Sequence, residues 1–246
     1  MTAPAEPHPA ATAQPVHPDE TPPPADRATV RAFGLTAGAV LVVWAVHNAV
    51  LLPWETRNVD PAVLEPALIA LRALIWLVPS VLFLRRHDPR HLLVALGVTS
   101  RMSPRGIHAT APTALYLTAI VLLLRNTAPP LDEVARLAVL APIHVTYLVL
   151  KAALEELLMR GFLLRQLVRF MSSRRALAYA VVLSAFMHWP AWLAFQGLGA
   201  ELVPSTVVVL LLGAVLAWVT IASNSILPAI VVHVANNLIG ELLGGG

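Results

Sequence analysis

No cysteine occurs in the 246-residue chain. That removes disulfides, thiolate zinc sites, cysteine nucleophiles and S-palmitoylation together. Charge is scarce as well, with 13% of residues Asp, Glu, Lys or Arg against about 25% in a soluble domain. With 57% apolar residues and a mean hydropathy of +0.72, the composition excludes a soluble enzyme and describes a chain solvated by lipid. Lysine is nearly missing: of 17 basic residues, Lys151 is the one that is not arginine. The arginines fall in short clusters between apolar stretches, not along one basic face, so they set membrane topology and exclude a nucleic-acid partner.

Residues 1 to 29 hold eight of the 21 prolines and no apolar run, which predicts a disordered tail, 1–29, ahead of a transmembrane helical domain, 30–246. The tail has neither the basic n-region nor the apolar h-region of a signal peptide, so the first span is expected to remain as an anchor. Charge-poor stretches then mark the spans: Ala32 to Trp54, Pro66 to Leu84 interrupted by Arg72, Gly106 to Leu124, about Leu137 to Gln166, and Ala176 to Ala200. The 39 residues from Leu202 to Gly240 carry no formal charge and accommodate two further passes, joined by a turn at Ser223-Asn224-Ser225. None of these runs alternates with period 2, so the fold class is all-α, a polytopic transmembrane helix bundle of about seven spans.

Alternating spans with a cytoplasmic N-terminus put eleven arginines inside (Arg27, Arg31, Arg85, Arg86, Arg90, Arg101, Arg105, Arg165, Arg169, Arg174, Arg175) and three outside (Arg57, Arg125, Arg136). That bias follows the positive-inside rule and predicts a multi-pass protein of the plasma or inner membrane. The segment from Arg85 to Arg105 is too long for a turn, and a short interfacial helix is expected within His91 to Val98.

Ionisable side chains within a bilayer need a partner, a cavity or a function. Arg72 lies near Glu65 and reads as a structural pairing or a snorkelling side chain, and His47 and His144 as packed histidines. The fourth span differs, because Glu155, Glu156 and Arg160 occupy its hydrocarbon zone. Glu156 and Arg160 stand at i and i+4, the spacing of an ion pair, whereas Glu155 points about 100° away and is left available. His188 lies on the fifth span, and His233 and Asn237 share a face of the seventh. Interhelical hydrogen bonds alone would explain such residues at about 1 kcal/mol each. At about 1.5 Å per residue, however, Glu155, His188 and His233 reach depths of about 15, 20 and 14 Å on three different helices. Scattered hydrogen bonds have no reason to share a level. A carboxylate with two neutral imidazoles either binds a divalent metal, zinc being the leading candidate, with a position left open for water, or holds the water directly with glutamate as general base. Asn237 supplies a donor for an oxyanion. Both versions describe water attacking a carbonyl.

The run Glu155-Glu156-Leu-Leu-Met-Arg160-Gly-Phe, then His188, then His233-Val-Ala-Asn-Asn237 behind Ser-Ile-Leu-Pro-Ala-Ile, resembles the CPBP intramembrane proteases (CAAX protease and bacteriocin-processing), which include the eukaryotic type II CAAX prenyl endopeptidase. The likeness covers residues 137 to 240, the motif-bearing core. It departs from the family pattern at Ser184, where a phenylalanine stands four residues before the histidine in the family. The resemblance implies an intramembrane endopeptidase acting on membrane-associated or lipid-modified peptides that arrive from the membrane or the cytoplasmic side. It implies Glu155 as the activator of water, Glu156 and Arg160 as its support, and His188, His233 and Asn237 as metal or oxyanion groups, with Glu155, His188 and His233 the metal set if one is used. The H-E-x-x-H, G-x-S-G and G-x-G-D signatures of rival membrane proteases are absent. A non-catalytic role in self-immunity or in scaffolding a secreted peptide system is the alternative. A transporter is disfavoured by seven unequal spans without an evident internal repeat.

Overall fold

The computed structural model describes residues 26–88, 90–98, 103, 113, 141–200 and 202–242. Every described element is helical. Helix α1 spans Arg27–Asn58 and α2 spans Pro61–His87, and α3 is one turn, Leu92–Ala95. Helix α4 runs without a break through Pro142–Glu156, a π-wound stretch Leu157–Leu164 and Arg165–Phe170. It is followed by α5, Ser173–Gln196, α6, Leu202–Ser223, and α7, Leu227–Leu242.

Local chemistry sets these limits. The Asp26 carboxylate accepts the Thr29 N–H at 2.7 Å and caps α1, so the helix starts at Arg27. Proline opens α2 at Pro61 and α4 at Pro142, where its missing N–H costs nothing. Pro53 and Pro79 lie inside continuous helix, each just after a π-wound segment, His47–Leu51 and Ala73–Leu77. The wider winding absorbs the backbone bond that proline cannot make. Pro190 is likewise carried within α5. Asn224 takes a left-handed backbone, φ 54°, and turns the chain from α6 into α7 at the expected Ser223-Asn224-Ser225. Of the interfacial helix expected within His91 to Val98, the turn Leu92–Ala95 is helical.

Four helices among the described residues are long and apolar enough to cross a membrane: α1, α2, α5 and α6. Helix α4 carries four charged side chains in its middle, and α7 has 16 residues. The expected third span, Gly106 to Leu124, lies outside the described residues, as do residues 1–25 of the tail. Outward faces are rich in exposed aliphatic side chains such as Leu35, Val42, Val63, Val203 and Val231, as lipid contact requires.

Helix α5 packs along α6, α7 closes against α4 and α6, and α1 lies against α2 and α5. Phe33 of α1, Phe83 of α2, and Phe162 and Phe170 of α4 form one aromatic cluster with centroids 5.1 to 6.0 Å apart. Each such pair adds about 0.5–1.5 kcal/mol. In lipid the gain comes from close packing, because leaving water is not at stake between helices already inside the bilayer. Close approach also explains Gly161: a Cβ there would stand 2.8 Å from the Leu96 carbonyl oxygen, so a side chain would drive the α3 turn off α4. That turn is tied further by Ile226 N–H to Gly97 O at 3.0 Å, and Arg165 of α4 donates to Asn224 O, between α6 and α7, at 2.7 Å.

Candidate active site

Five helices bring polar residues to one cavity of about 260 Å³. Helix α4 contributes Lys151, Glu155 and Arg160, α5 contributes Ser184 and His188, and α7 contributes His233. The opposite wall is Trp44 and Asn48 of α1 with Arg72 and Trp76 of α2.

Glu156 lies behind this wall with its side chain wholly buried. Its Oε1 accepts from Arg160 Nη1 at 2.9 Å and from His233 Nδ1 at 2.7 Å, while Oε2 is buried without a hydrogen-bond partner. Arg160 also donates to the Gly213 carbonyl of α6 at 3.3 Å, so the pair expected from i, i+4 spacing is joined by two further helices. Helices α4, α6 and α7 are thereby fixed around a single carboxylate. A carboxylate accepts and does not donate, so the hydrogen of His233 sits on Nδ1, and Nε2 is the ring atom turned toward Glu155. Nε2 stands 3.6 Å from Glu155 Oε2, beyond hydrogen-bonding distance. Glu155 therefore keeps its oxygens for the cavity, where 13% of its side chain is exposed.

His188 is oriented in the same manner. Its Nδ1 donates to the Ser184 carbonyl oxygen at 2.8 Å, one turn back on α5, and its ring lies against Trp192 with centroids 5.4 Å apart. Nε2 is left for the cavity. Ser184 is itself buried and lines the cavity, so the position where the family carries phenylalanine holds a small side chain beside the site. Asn237 lies one turn beyond His233, partly buried, with its side-chain oxygen accepting from Asn236 Nδ2 at 3.4 Å. On α7 the cavity wall is formed by His233.

Both imidazoles have Nδ1 anchored and Nε2 open, which is how metal-binding histidines are held. Among the described residues, however, no three His, Cys, Asp or Glu side chains are grouped closely enough to hold one ion. The described residues do not close around a metal in this arrangement.

Two cavity residues escaped the sequence reading. Arg72 forms no ion pair with Glu65, which lies two turns away along α2. Its guanidinium carbon instead sits 5.4 Å over the Trp44 ring and 5.8 Å over the Trp76 ring. Lys151 precedes Glu155 by one turn and lines the same cavity. The signal was present in both cases, as the one charge in the second span and the one lysine of the chain. His47 and His144 do take structural roles: His47 Nε2 pairs with Glu55 at 3.1 Å, and His144 pairs with Glu241.

Residues 137–239, which hold α4 to α6 and most of α7, match a family described as Rce1-like, type II CAAX prenyl endopeptidase Rce1-like. No curated protein and no solved structure matches the chain.

Proposed function

We propose that the chain, whose residues 137–239 match the type II CAAX prenyl endopeptidase family, is an intramembrane endopeptidase in which Glu155 activates water against a peptide bond of a membrane-associated or lipid-modified substrate. The observation that carries this reading is the division of labour at His233: Nδ1 is bound to Glu156 at 2.7 Å, and Nε2 faces a Glu155 that no hydrogen bond holds. Glu155 takes one proton from water as the water oxygen attacks the scissile carbonyl carbon. The proton is shared with His233 Nε2 across the gap between them and passes to the leaving nitrogen as the C–N bond breaks. Products are a carboxylic acid, which retains the water's second proton until it ionises and passes it to the amine, and the amine; Glu155 is regenerated as the carboxylate. His188, whose free Nε2 accepts, orients the attacking water.

Glu156 and Arg160 act on this chemistry by position. They hold His233 and the junction of α4, α6 and α7, so the ring meets Glu155 from a fixed direction. The reading is tested by screening a peptide library with the purified full chain in detergent, beside Glu155→Gln. Cleavage by the first and none by the second supports it. Equal cleavage by both, or none by either across the library, refutes it in favour of a scaffold.

A further inference from the structure

A groove of about 470 Å³ runs along the outside of the bundle between Ala32, Leu35 and Ala39 of α1 and Pro79, Leu82 and Phe83 of α2. It shares no lining residue with the cavity that holds Glu155. Small side chains on α1 and a proline on α2 leave the trough, and Thr36 is the one polar residue along its length. Its other polar walls, Arg86 and His87, stand together at one end. Arg31 joins them there, since it lies one turn before Leu35 on the same face of α1. The two antiparallel helices are in register through Phe33 and Phe83, whose rings are 6.0 Å apart. Two residues back along α1 is Arg31 and three on along α2 is Arg86, about 3 and 4.5 Å beyond that level.

The carboxylates at this end are committed elsewhere. Asp26 caps α1 by accepting from Thr29 N–H at 2.7 Å, and Asp88 is held by Arg90 and Arg169. Among the described residues Arg31 and Arg86 form no ion pair, and both are exposed. Exposed arginines alone do no more than orient a membrane protein. Arginines at the head of an apolar trough, however, repeat the layout of a phospholipid, whose phosphate stands at the head of an acyl chain. We propose that the groove binds one acidic phospholipid, with an acyl chain lying between α1 and α2 and the phosphate bridging Arg31 and Arg86. A zwitterionic headgroup would bring its ammonium up against the same arginines, so a lipid of net negative charge is selected. The site is independent of the peptidase reading, because it lies apart from the Glu155 cavity.

Native mass spectrometry tests this on the full chain, released from a neutral detergent that holds equal amounts of palmitoyl-oleoyl phosphatidylglycerol and phosphatidylcholine. The first lipid retained should be phosphatidylglycerol in at least about tenfold excess, equivalent to about 1.4 kcal/mol. That excess should fall to within about twofold when Arg31→Gln is combined with Arg86→Gln, and persist when both are changed to lysine. Arg174→Gln with Arg175→Gln removes the same charge from the start of α5, at the same end of the bundle, and should leave the excess unchanged. Ala39→Phe spares the arginines and fills the groove, and it should lower retention of both lipids by at least about threefold. Equal retention of the two lipids by the parent overturns the site, and that comparison needs no variant. An equal loss in the Arg174→Gln, Arg175→Gln chain overturns it too, because the preference would then belong to diffuse charge, as does undiminished retention in Ala39→Phe. Glycerol 3-phosphate, which has the phosphate and no chain, should not compete; displacement by it would make this a site for free phosphate esters and overturn the lipid. A dimeric chain that retains neither lipid gives the groove to a second copy and refutes the proposal.

Discussion

His233 Nε2 stands 3.6 Å from the Glu155 carboxylate, close enough to act on it and too far to bind it. The opposite nitrogen of the same ring is fixed to Glu156 at 2.7 Å, so two adjacent glutamates of α4 meet one imidazole in different ways. Adjacent helical residues diverge by about 100°, and a ring approaching from α7 lies between the two directions. One carboxylate is buried and held by this arrangement, and the other is left facing the cavity.

Glu155→Gln should lower turnover by at least about 10²-fold, the usual contribution of a general base, while the thermal midpoint in detergent changes little. Cleavage rates together with a melting curve check this. Activity within about threefold of the parent would remove Glu155 from the role of base.

Arg160→Ala should act on stability first. It strips a wholly buried carboxylate of its cation and frees the Gly213 carbonyl, a loss of about 3 kcal/mol. Denaturation in mixed micelles measures it, and an unchanged midpoint would mean that Glu156 is held by His233 alone.

Because no three ligands gather around one point among the described residues, chelator treatment should leave turnover within about twofold. Dialysis against a strong zinc chelator, followed by assay and metal analysis, decides the matter. Loss of activity that zinc restores would return Glu155, His188 and His233 to the role of ligands.

Asp88, just past the end of α2, supplies a pH test outside the membrane span. Burial opposes its charge, but hydrogen bonds from Arg90, at 2.6 and 2.8 Å, and the charge of Arg169 outweigh burial and hold the carboxyl below its ordinary range. A depressed folded value means that the stabilisation is complete above the unfolded value near 3.8 and is lost as pH falls through the folded one. The melting midpoint of the parent should therefore drop below about pH 4 more steeply than that of Asp88→Asn. Parallel curves would show that the cluster contributes nothing.

The sequence made the motif residues legible for a simple reason: a charge in an apolar run has no bland surface to occupy. Glu155, Arg160, His188 and His233 all come to one cavity, with Glu156 directly behind it. For Arg72 the pattern along its own helix offers Glu65, whereas the rings it lies against are Trp44 on α1 and Trp76 one turn ahead, and the first of these contacts arises only once the helices are packed. The π-wound segments were not legible either. A proline signals a missing bond but not how the backbone absorbs it, and the π stretch at Leu157–Leu164 contains no proline. Its Gly161 answers to Leu96, a residue 65 positions earlier, which no local pattern encodes.

The four phenyl rings of Phe33, Phe83, Phe162 and Phe170 have a consequence for the membrane as a whole. A hollow that brings water to a glutamate inside a bilayer is half of an ion leak. The rings fill the space between α1, α2 and α4 at the end where α1 begins and α4 finishes, about 16 Å along α1 from Trp44 of the cavity wall. The rings themselves offer water no polar atom at that end. The cavity is thereby stopped at one end of the bundle, and on the peptidase reading a peptide would have to enter it sideways between helices or from the opposite end.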